Sequence, residues 1–292
     1  MSGIAGTGCD VLLPLGELKS LTEIERSLIK KYRKTIWSKF LRAIKDYSMV
    51  QDGDKIAVAM SGGKDSLIMA KLFQEMQKHG PVKIELEFIV MDPGYHENIR
   101  ELLISNCKHL EIPIKIFESH IFDVVDRIAK DYPCYMCAKM RRGALYNKAQ
   151  ELGCNKLALG HHFNDVIETT MLNIAYTGCF KTMLPKIKST NFAGMELIRP
   201  LYYIEEKEII SFTQNAGIQC LNCACMVAAK KIGNKRYEIR ALIEELKGRF
   251  DEFDRKLFKA AENVNMEAIL GWQKGGNKYS YLDFYDEDEY EE

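Results

Sequence analysis

The residues best placed to do chemistry lie in the hexapeptide Ser61-Gly-Gly-Lys-Asp-Ser66. The apolar run 55–60 before it predicts a strand, and the spacing of apolar residues after it predicts a helix. A glycine pair at such a junction lets backbone N–H groups close on an anion, which the helix dipole also favours. The loop lacks the four residues that separate the glycines in GxxxxGK[ST]. The alternative is a plain glycine turn. We predict a phosphate-binding loop that consists of Ser61, Gly62, Gly63, Lys64, Asp65 and Ser66.

Strands and helices alternate along the chain that carries this loop. Further strands are predicted at 84–91, 112–117, 156–159 and 195–201, and helices at 95–110, 121–130, 139–152, 164–176 and 205–215. The stretch 133–137 is predicted to interrupt the helical pattern. Such alternation is typical of βαβ units, and it predicts an α/β fold with a Rossmann-like parallel sheet and helices on both faces.

Ligands of such sheets sit at the carboxyl ends of the strands. Three groups of polar residues follow predicted strands directly: the hexapeptide, Asp92, and the stretch Gly160-His161-His-Phe-Asn-Asp165. We therefore expect all three groups to meet at one edge of the sheet.

The nine cysteines divide into isolated and clustered residues. Cys9, Cys107, Cys154 and Cys179 are isolated, which is typical of small buried side chains. The clusters are Cys134-Tyr-Met-Cys137 and Cys220-Leu-Asn-Cys223-Ala-Cys225. Clustered cysteines in a cytoplasmic chain favour metal or reactive thiols over disulfides. Their spacing leaves a redox pair, a zinc site and an iron–sulfur cluster open.

The formal net charge of zero hides an uneven distribution, because seven acids and no base lie in residues 283–292. Residues 26–45 contain eight bases and no acid, among them Lys30, Lys31, Arg33 and Lys34. A second basic cluster comprises Lys230, Lys231, Lys235, Arg236 and Arg240. Both patterns are typical of nucleic-acid backbone binding, with a solvated helix face as the competing interpretation. Apolar residues at helical spacing accompany the first run, which predicts one amphipathic helix over 21–47.

The hexapeptide resembles the pyrophosphate loop (PP-loop) of the N-type ATP pyrophosphatases, which split ATP between the α and β phosphates. The wider sequence, over about residues 25–265, resembles the TtcA-type tRNA-cytidine 2-sulfurtransferases. That resemblance rests on the order and spacing of SGGKDS, Cys134-Tyr-Met-Cys137-Ala-Lys-Met-Arg141-Arg142, Leu159-Gly-His-His-Phe-Asn-Asp165, Ile198-Arg-Pro-Leu201 and Cys220-Leu-Asn-Cys223.

The resemblance implies an enzyme that adenylates the C2 oxygen of an anticodon-loop cytidine, at position thirty-two, and replaces that oxygen with sulfur. It implies ATP, Mg²⁺ and a [4Fe–4S] cluster held by Cys134, Cys137 and Cys223, with Cys220 and Cys225 as alternative ligands. It further implies tRNA as substrate, a persulfide carrier or sulfide as sulfur donor, and a homodimer.

Individual roles follow for the other candidate residues. The hexapeptide would hold phosphates, while Asp65 and Asp165 would place magnesium. Asp92 would meet the nucleoside, and Gly160 with His161 would face phosphate or a magnesium-bound water. Arg141 and Arg142 are the predicted RNA or phosphate contacts, against a plain helix surface as the alternative.

Two other hypotheses compete with this function. One is a different PP-loop enzyme, either a 2-thiouridine-forming thiolase or another adenylating enzyme. The other is a non-catalytic iron–sulfur protein that binds RNA or senses redox state. This chain lacks the additional CxxC pairs that the 2-thiouridine-forming thiolases carry at both ends, which disfavours the first hypothesis. The intact hexapeptide disfavours the non-catalytic hypothesis.

The chain divides by pattern into four segments. We predict a basic, helical N-terminal segment (1–50), a PP-loop domain with an inserted CxxC (51–220), a helical cysteine-bearing segment (221–270), and a disordered acidic tail (271–292). No apolar run approaches the roughly 18–20 residues of a membrane span. We therefore expect a cytoplasmic protein without a membrane anchor.

Overall fold

A six-stranded, mostly parallel sheet organises the protein in its computed structural model. The structure describes residues 2–5, 9–12, 14–92, 95, 97–119, 133–221 and 233–285, with the backbone alone at 2–5, 9–12, 133–138 and 233–234. The predicted helix at 121–130 lies outside the described residues.

The strands are β1 (Ser2–Ala5), β2 (Cys9–Leu12), β3 (Lys55–Met60), β4 (Glu85–Asp92), β5 (Ile114–Glu118), β6 (Lys156–Ala158), β7 (Lys186–Lys188), β8 (Glu196–Ile198), β9 (Cys220–Leu221), β10 (Gly271–Lys274) and β11 (Asn277–Ser280). The α-helices are α1 (Leu21–Ile29), α2 (Ser38–Asp46), α3 (Lys64–His79), α4 (Glu97–His109), α5 (Pro133–Glu151), α6 (Phe163–Thr177), α7 (Glu206–Ala216), α8 (Gly233–Arg249) and α9 (Phe253–Ala260).

The strand order places a topological switch point in the middle of the sheet. The order is β5-β4-β3-β6-β8-β7, and all pairs are parallel except the edge pair of β7 with β8. From β3 the chain builds outward through β4 and β5, then returns to the other side of β3 with β6. Adjacent loops diverge where the direction reverses, and open α/β sheets bind ligands in the crevice so formed. Here that crevice lies between the ends of β3 and β6.

Both faces of the sheet are covered, as the alternation within β3 requires. Ile56 and Val58 point into a large core that α1 to α4 and α7 complete. Ala57, between them, faces the opposite side, where Tyr146 and Ala149 of α5 pack. The prediction of a parallel sheet with helices on both faces is therefore confirmed.

The N-terminal helix is broken in a way that its sequence explains. Its buried residues recur every fourth position, at Ile24, Leu28, Tyr32, Ile36, Phe40 and Ile44. An α-helix turns about 100° per residue, so a four-residue spacing drifts by about 40° at each step. A π-helical turn at Arg33–Trp37, between α1 and α2, is wider and takes up this drift. The predicted single helix over 21–47 is therefore wrong in its continuity but right about its buried face.

Three other predictions need correction. The segment 1–50 is not wholly helical, since β2 pairs with β1 and with the distant β9, a pairing that no local pattern reveals. The stretch 133–137 begins α5 instead of interrupting it, because proline suits the first turn of a helix. The predicted disordered tail starts too early: β10 and β11 form a hairpin around Gly275 and Gly276, both at positive φ, with Trp272 stacked on Tyr279. Residues 286–292 lie outside the described part.

Among the described residues, no helix combines the length and the apolar character that crossing a bilayer requires.

Candidate active site

The hexapeptide forms a turn that is already folded around its own hydroxyl groups. β3 ends at Met60, and Gly63 caps α3. The backbone N–H of Ser61 donates to Ser66 Oγ at 3.2 Å, and Ser66 Oγ donates to the Gly63 carbonyl at 2.9 Å. The first N–H groups of α3 have no partners within the helix, so they are available to an anion at this end.

Gly62 has a left-handed backbone with φ of 76°, which favours glycine. A Cβ there would also lie 2.8 Å from Leu221 Cδ1. Leu221 belongs to β9, and its N–H donates to the Gly62 carbonyl at 3.2 Å. The turn therefore rests on the strand that directly precedes residues 222–225.

A cavity of about 420 Å³ opens at the switch point between β3 and β6. Most of the predicted residues that line it come from the hexapeptide, from the stretch after β6 or from α5. These residues are Ser61, Asp65, Ser66, Gly160, His161, Asp165, Arg141 and Arg142. Gly160 packs so closely on α3 that a Cβ would lie 3.3 Å from the Asp65 carbonyl carbon. The three sequence motifs thus meet in one place.

Two carboxylates, Asp65 and Asp165, and His161 line the cavity, and His162 lies behind them. His162 is buried between the carboxylates, with Nε2 3.8 Å from Asp65 Oδ1 and Nδ1 3.5 Å from Asp165 Oδ2. Asp65 Oδ1 is buried and has no hydrogen-bond partner among the described residues. Burial opposes the ionisation of Asp165, yet His162, Arg236 and the hydrogen bond from the His162 N–H hold its pKa below the ordinary value. Two carboxylates on one wall are a donor set that suits Mg²⁺.

His161 lines the cavity as a neutral ring. Burial lowers the pKa of His161 to about 4, against the opposing effect of Asp165. Its Nδ1 is buried without a hydrogen-bond partner among the described residues. A neutral imidazole can donate or accept one hydrogen bond at this position without adding charge.

Lys64 is held behind the cavity wall. Its ammonium lies 3.2 Å from Asp65 Oδ2 and 3.0 Å from Glu206 Oε1, at the start of α7. Burial works against the charged form, but the two carboxylates raise the pKa of Lys64. The lysine therefore stays protonated and ties the loop to α7.

Helix α8 brings Arg236 to the same wall and Arg240 to a position beside it. Ile239 and Ile243 pack it against Phe163 and Ile167 of α6. This packing places Arg236 at the cavity and Arg240 beside the buried Glu168 of α6. Burial raises the pKa of Glu168 despite both arginines. Arg236 and Arg240, two of the five residues of the second basic cluster, are thus paired with carboxylates.

Three of the five clustered cysteines, Cys134, Cys137 and Cys220, lie among the described residues. Cys134 and Cys137 lie in the first turns of α5, the helix that also carries Arg141 and Arg142. Along a helix, Cys137 and Arg141 are about 6 Å apart. Cys223 and Cys225 lie outside the described residues. Cys220 is fully buried in β9 among the residues of the main hydrophobic core, which disfavours it as a ligand of a cluster at the cavity, and burial raises the pKa of its thiol to about 12.

Two predicted groups lie away from the cavity. Asp92 ends β4 and is buried, but its Oδ1 accepts the N–H of Tyr95 at 2.8 Å, and it does not line the cavity. The basic run around the π turn is elsewhere on the surface, with these residues exposed: Lys30, Lys31, Arg33 and Lys34.

The described part of the chain contains no group of three or more His, Cys, Asp or Glu side chains set for a metal ion. Asp65 and Asp165 are a pair, so a cation here would take its remaining ligands from phosphate oxygens and water, as Mg²⁺ commonly does.

Sequence reasoning missed Glu206 and Glu168. Glu206 lies 142 positions from its partner Lys64, and an acid in the first turn of a helix is common enough to carry no signal. Glu168 did carry a signal in the sequence. It lies one helical turn after Asp165 and directly follows the apolar pair Val166 and Ile167, both of which are buried.

Comparison with known proteins places this geometry in a family context. The model of the PP-loop domain matches residues 32–224. A tRNA-cytidine(32) 2-sulfurtransferase of Geobacter metallireducens is 35% identical over 244 residues, which cover 82% of this chain and 93% of that protein. One of Vibrio cholerae is 34% identical over 253 residues, covering 85% of this chain and 80% of that protein.

A solved structure supports the fold. The U34-tRNA thiolase NcsA of Methanococcus maripaludis, determined with its [4Fe–4S] cluster, matches with a TM-score of 0.63 and 24% identity. The match covers 81% of this chain and 80% of that one. At this level of identity the likeness concerns the course of the backbone.

Proposed function

This chain belongs to the PP-loop family and, within it, to the tRNA-cytidine(32) 2-sulfurtransferases, and we propose that it thiolates cytidine 32 of tRNA at the expense of ATP. One observation carries the proposal. The hexapeptide, and Arg141 and Arg142 of the helix α5 that also carries Cys134 and Cys137, line the same cavity at the switch point of the sheet. Adenylation and sulfur delivery need such proximity, because the activated base must meet both groups.

The loop side of the cavity suits the triphosphate of ATP. N–H groups at the start of α3 would supply donors for phosphate oxygens, and the Ser61 hydroxyl, now 3.3 Å from Ser66 Oγ, would add another by turning to the phosphate. Asp65 and Asp165 would hold Mg²⁺, which neutralises charge as the α-phosphate is attacked. The neutral ring of His161 would orient a phosphate or a magnesium-bound water.

The chemistry begins with an unreactive carbonyl. Oxygen at C2 of cytosine attacks the α-phosphate, and pyrophosphate leaves with the electron pair of the broken P–O bond. A sulfur nucleophile then attacks C2, and the former carbonyl oxygen leaves as part of AMP. Donors and cations fixed in place before the reaction stabilise the negative charge that develops in both steps. Arg141 and Arg142 are placed to neutralise phosphate or RNA here.

We propose a [4Fe–4S] cluster next to the cavity. Cys134 and Cys137 are one turn apart on α5, and β9, the strand that precedes Cys223 in the sequence, is tied to Gly62. Three thiolates would leave one iron position open for a sulfur species. We propose Cys134, Cys137 and Cys223 as ligands, with Cys225 as the alternative, and disfavour Cys220 because its side chain is fully buried in the main hydrophobic core.

The decisive experiment is mass spectrometry of tRNA nucleosides from cells with and without the gene. We expect 2-thiocytidine to disappear without the gene and to return with the wild-type copy. Loss of a 2-thiouridine instead would contradict the choice of base while keeping the PP-loop chemistry. Unchanged thionucleosides, together with absent ATP turnover, would favour the non-catalytic alternative.

The exposed basic run is proposed to hold the tRNA backbone. We expect simultaneous replacement of Lys30, Lys31, Arg33 and Lys34 by glutamine to weaken all tRNAs alike, because phosphate contacts carry no sequence information. Each lost contact should reduce the slope of log affinity against log salt by about 1. Filter binding over a salt series measures both effects.

A matched control removes four exposed lysines elsewhere and changes the net charge equally: Lys83, Lys108, Lys188 and Lys256. If the two quadruple variants bind tRNA equally well, the run is a solvated helix face and the proposed contact is wrong.

We also propose a sulfur donor, an oligomeric state and a compartment for this function. The sulfur donor is a persulfide carrier or sulfide, the protein is a homodimer, and it acts in the cytoplasm, where tRNA and ATP occur together. We propose that Asp92, at the carboxyl end of β4, contacts the nucleoside part of ATP.

A further inference from the structure

A continuous charge network connects the hexapeptide to helix α8, and it passes the cavity. Lys64 pairs with Glu206, and Glu206 Oε2 lies 3.4 Å from Arg240 Nη1. Arg240 Nε donates to Glu168 Oε1 at 2.8 Å. The last link, Arg236, lies 3.7 Å from Glu168 Oε2 and 3.3 Å from Asp165 Oδ1. Asp165 is one of the two proposed magnesium ligands.

The two arginines of α8 are held differently. Arg240 makes a short hydrogen bond to a carboxylate whose side chain is 2% exposed, and it does not line the cavity. Arg236 has longer contacts and a place in the cavity wall, although the two side chains are about equally exposed, at 49% for Arg236 and 44% for Arg240. Arg240 therefore holds the helix by the shorter bond, whereas Arg236 is the arginine that reaches the cavity.

The charges of this network indicate a binding role for Arg236. In the structure, four carboxylates of the network (Asp65, Asp165, Glu168 and Glu206) face Lys64, Arg236 and Arg240, with the buried imidazole of His162 between Asp65, Asp165 and Glu206. Mg²⁺ on Asp65 and Asp165 would add two positive charges and leave the network with a positive surplus. Asp165 would then neutralise Arg236 less, and the nearest anion able to take the guanidinium would be the phosphate that arrives with the metal.

We propose that Arg236 is a phosphate-binding residue of the nucleotide site, held by Asp165 and Glu168 until magnesium and nucleotide enter. The proposal rests on the proposed function in that it takes the ATP phosphates as the anion. Arg240 acts as a positioning residue, because its bond to Glu168 keeps α8 at the distance from which Arg236 reaches the cavity.

Calorimetric titration with a non-hydrolysable ATP analogue and with adenosine, both with Mg²⁺, tests this. We expect Arg236→Gln to weaken the analogue about 10- to 100-fold, as for a lost charged hydrogen bond, and to leave adenosine binding unchanged. Arg236→Lys should restore part of the affinity. The control is Arg249→Gln on the same helix, whose partner Glu245 is exposed and remote from the cavity lining; it should bind like wild type.

A second measurement isolates the exchange of partners. Without Mg²⁺, Asp165→Asn should raise the affinity for the ATP analogue more in the wild-type background than in the Arg236→Gln background, because only the first contains a guanidinium to release. An equal gain in both would overturn the exchange. Equal losses for the analogue and adenosine, or a loss confined to tRNA binding, would overturn the phosphate role.

The readout separates this inference from the proposed function. Absent thiolation with Arg236-dependent ATP binding would contradict the tRNA reaction and support the inference. Normal thiolation with an Arg236→Gln variant that binds the analogue like wild type would do the reverse.

Discussion

Asp65→Ala is expected to abolish the conversion of ATP to AMP and pyrophosphate, with a loss of about 1,000-fold or more, because a metal ligand and its charge stabilisation disappear together. The fold should survive, since one oxygen of Asp65 has no hydrogen-bond partner among the described residues and the other meets only Lys64. Product analysis of AMP and ADP measures the turnover, and thermal unfolding checks the fold.

Asp251→Ala serves as the matched control, because this aspartate is exposed and does not line the cavity. It should turn over ATP at the wild-type rate. If the wild-type protein released ADP in place of AMP, cleavage would lie between the β and γ phosphates, and the PP-loop chemistry would be wrong for this chain.

Replacing any one of Cys134, Cys137 and Cys223 by alanine is expected to remove both the cluster and thiolation. Protein purified without oxygen should be brown and contain about four irons per chain in the wild type, and the variants should be colourless. The apo variants should stay folded and still bind ATP, because the core and the hexapeptide turn form from other residues.

The isolated cysteines provide the controls. Cys179 is exposed, and Cys107 and Cys154 are buried with raised thiol pKa values caused by burial, so alanine at each should keep colour and iron. Cys9→Ala should behave in the same way. Cys225→Ala decides whether this residue replaces Cys223 as the third ligand. A colourless anaerobic wild-type preparation with stoichiometric zinc would refute the iron–sulfur proposal.

Several features followed from the sequence because they depend on local order. The alternation of apolar runs predicted the parallel sheet, and the strand–GG–helix pattern predicted the turn at Gly62. Residues that directly follow parallel strands must lie at one edge, so the sequence predicted that Asp65 and Asp165 meet. The family resemblance added the proposal of three cysteine ligands, where spacing alone left three kinds of site open.

Tertiary structure decided what depends on pairing between distant segments. β2 with β9, Lys64 with Glu206, and Arg240 with Glu168 join residues whose local sequence carries no sign of the partner. The second basic cluster predicts nucleic-acid contact from its sequence alone. In the folded protein, however, Arg236 of that cluster pairs with Asp165, which lies far away along the chain. The sequence by itself determined which groups are present and which edge they occupy. Folding alone decided which charges neutralise one another, because Coulomb energy depends on distance in space and not on separation along the chain.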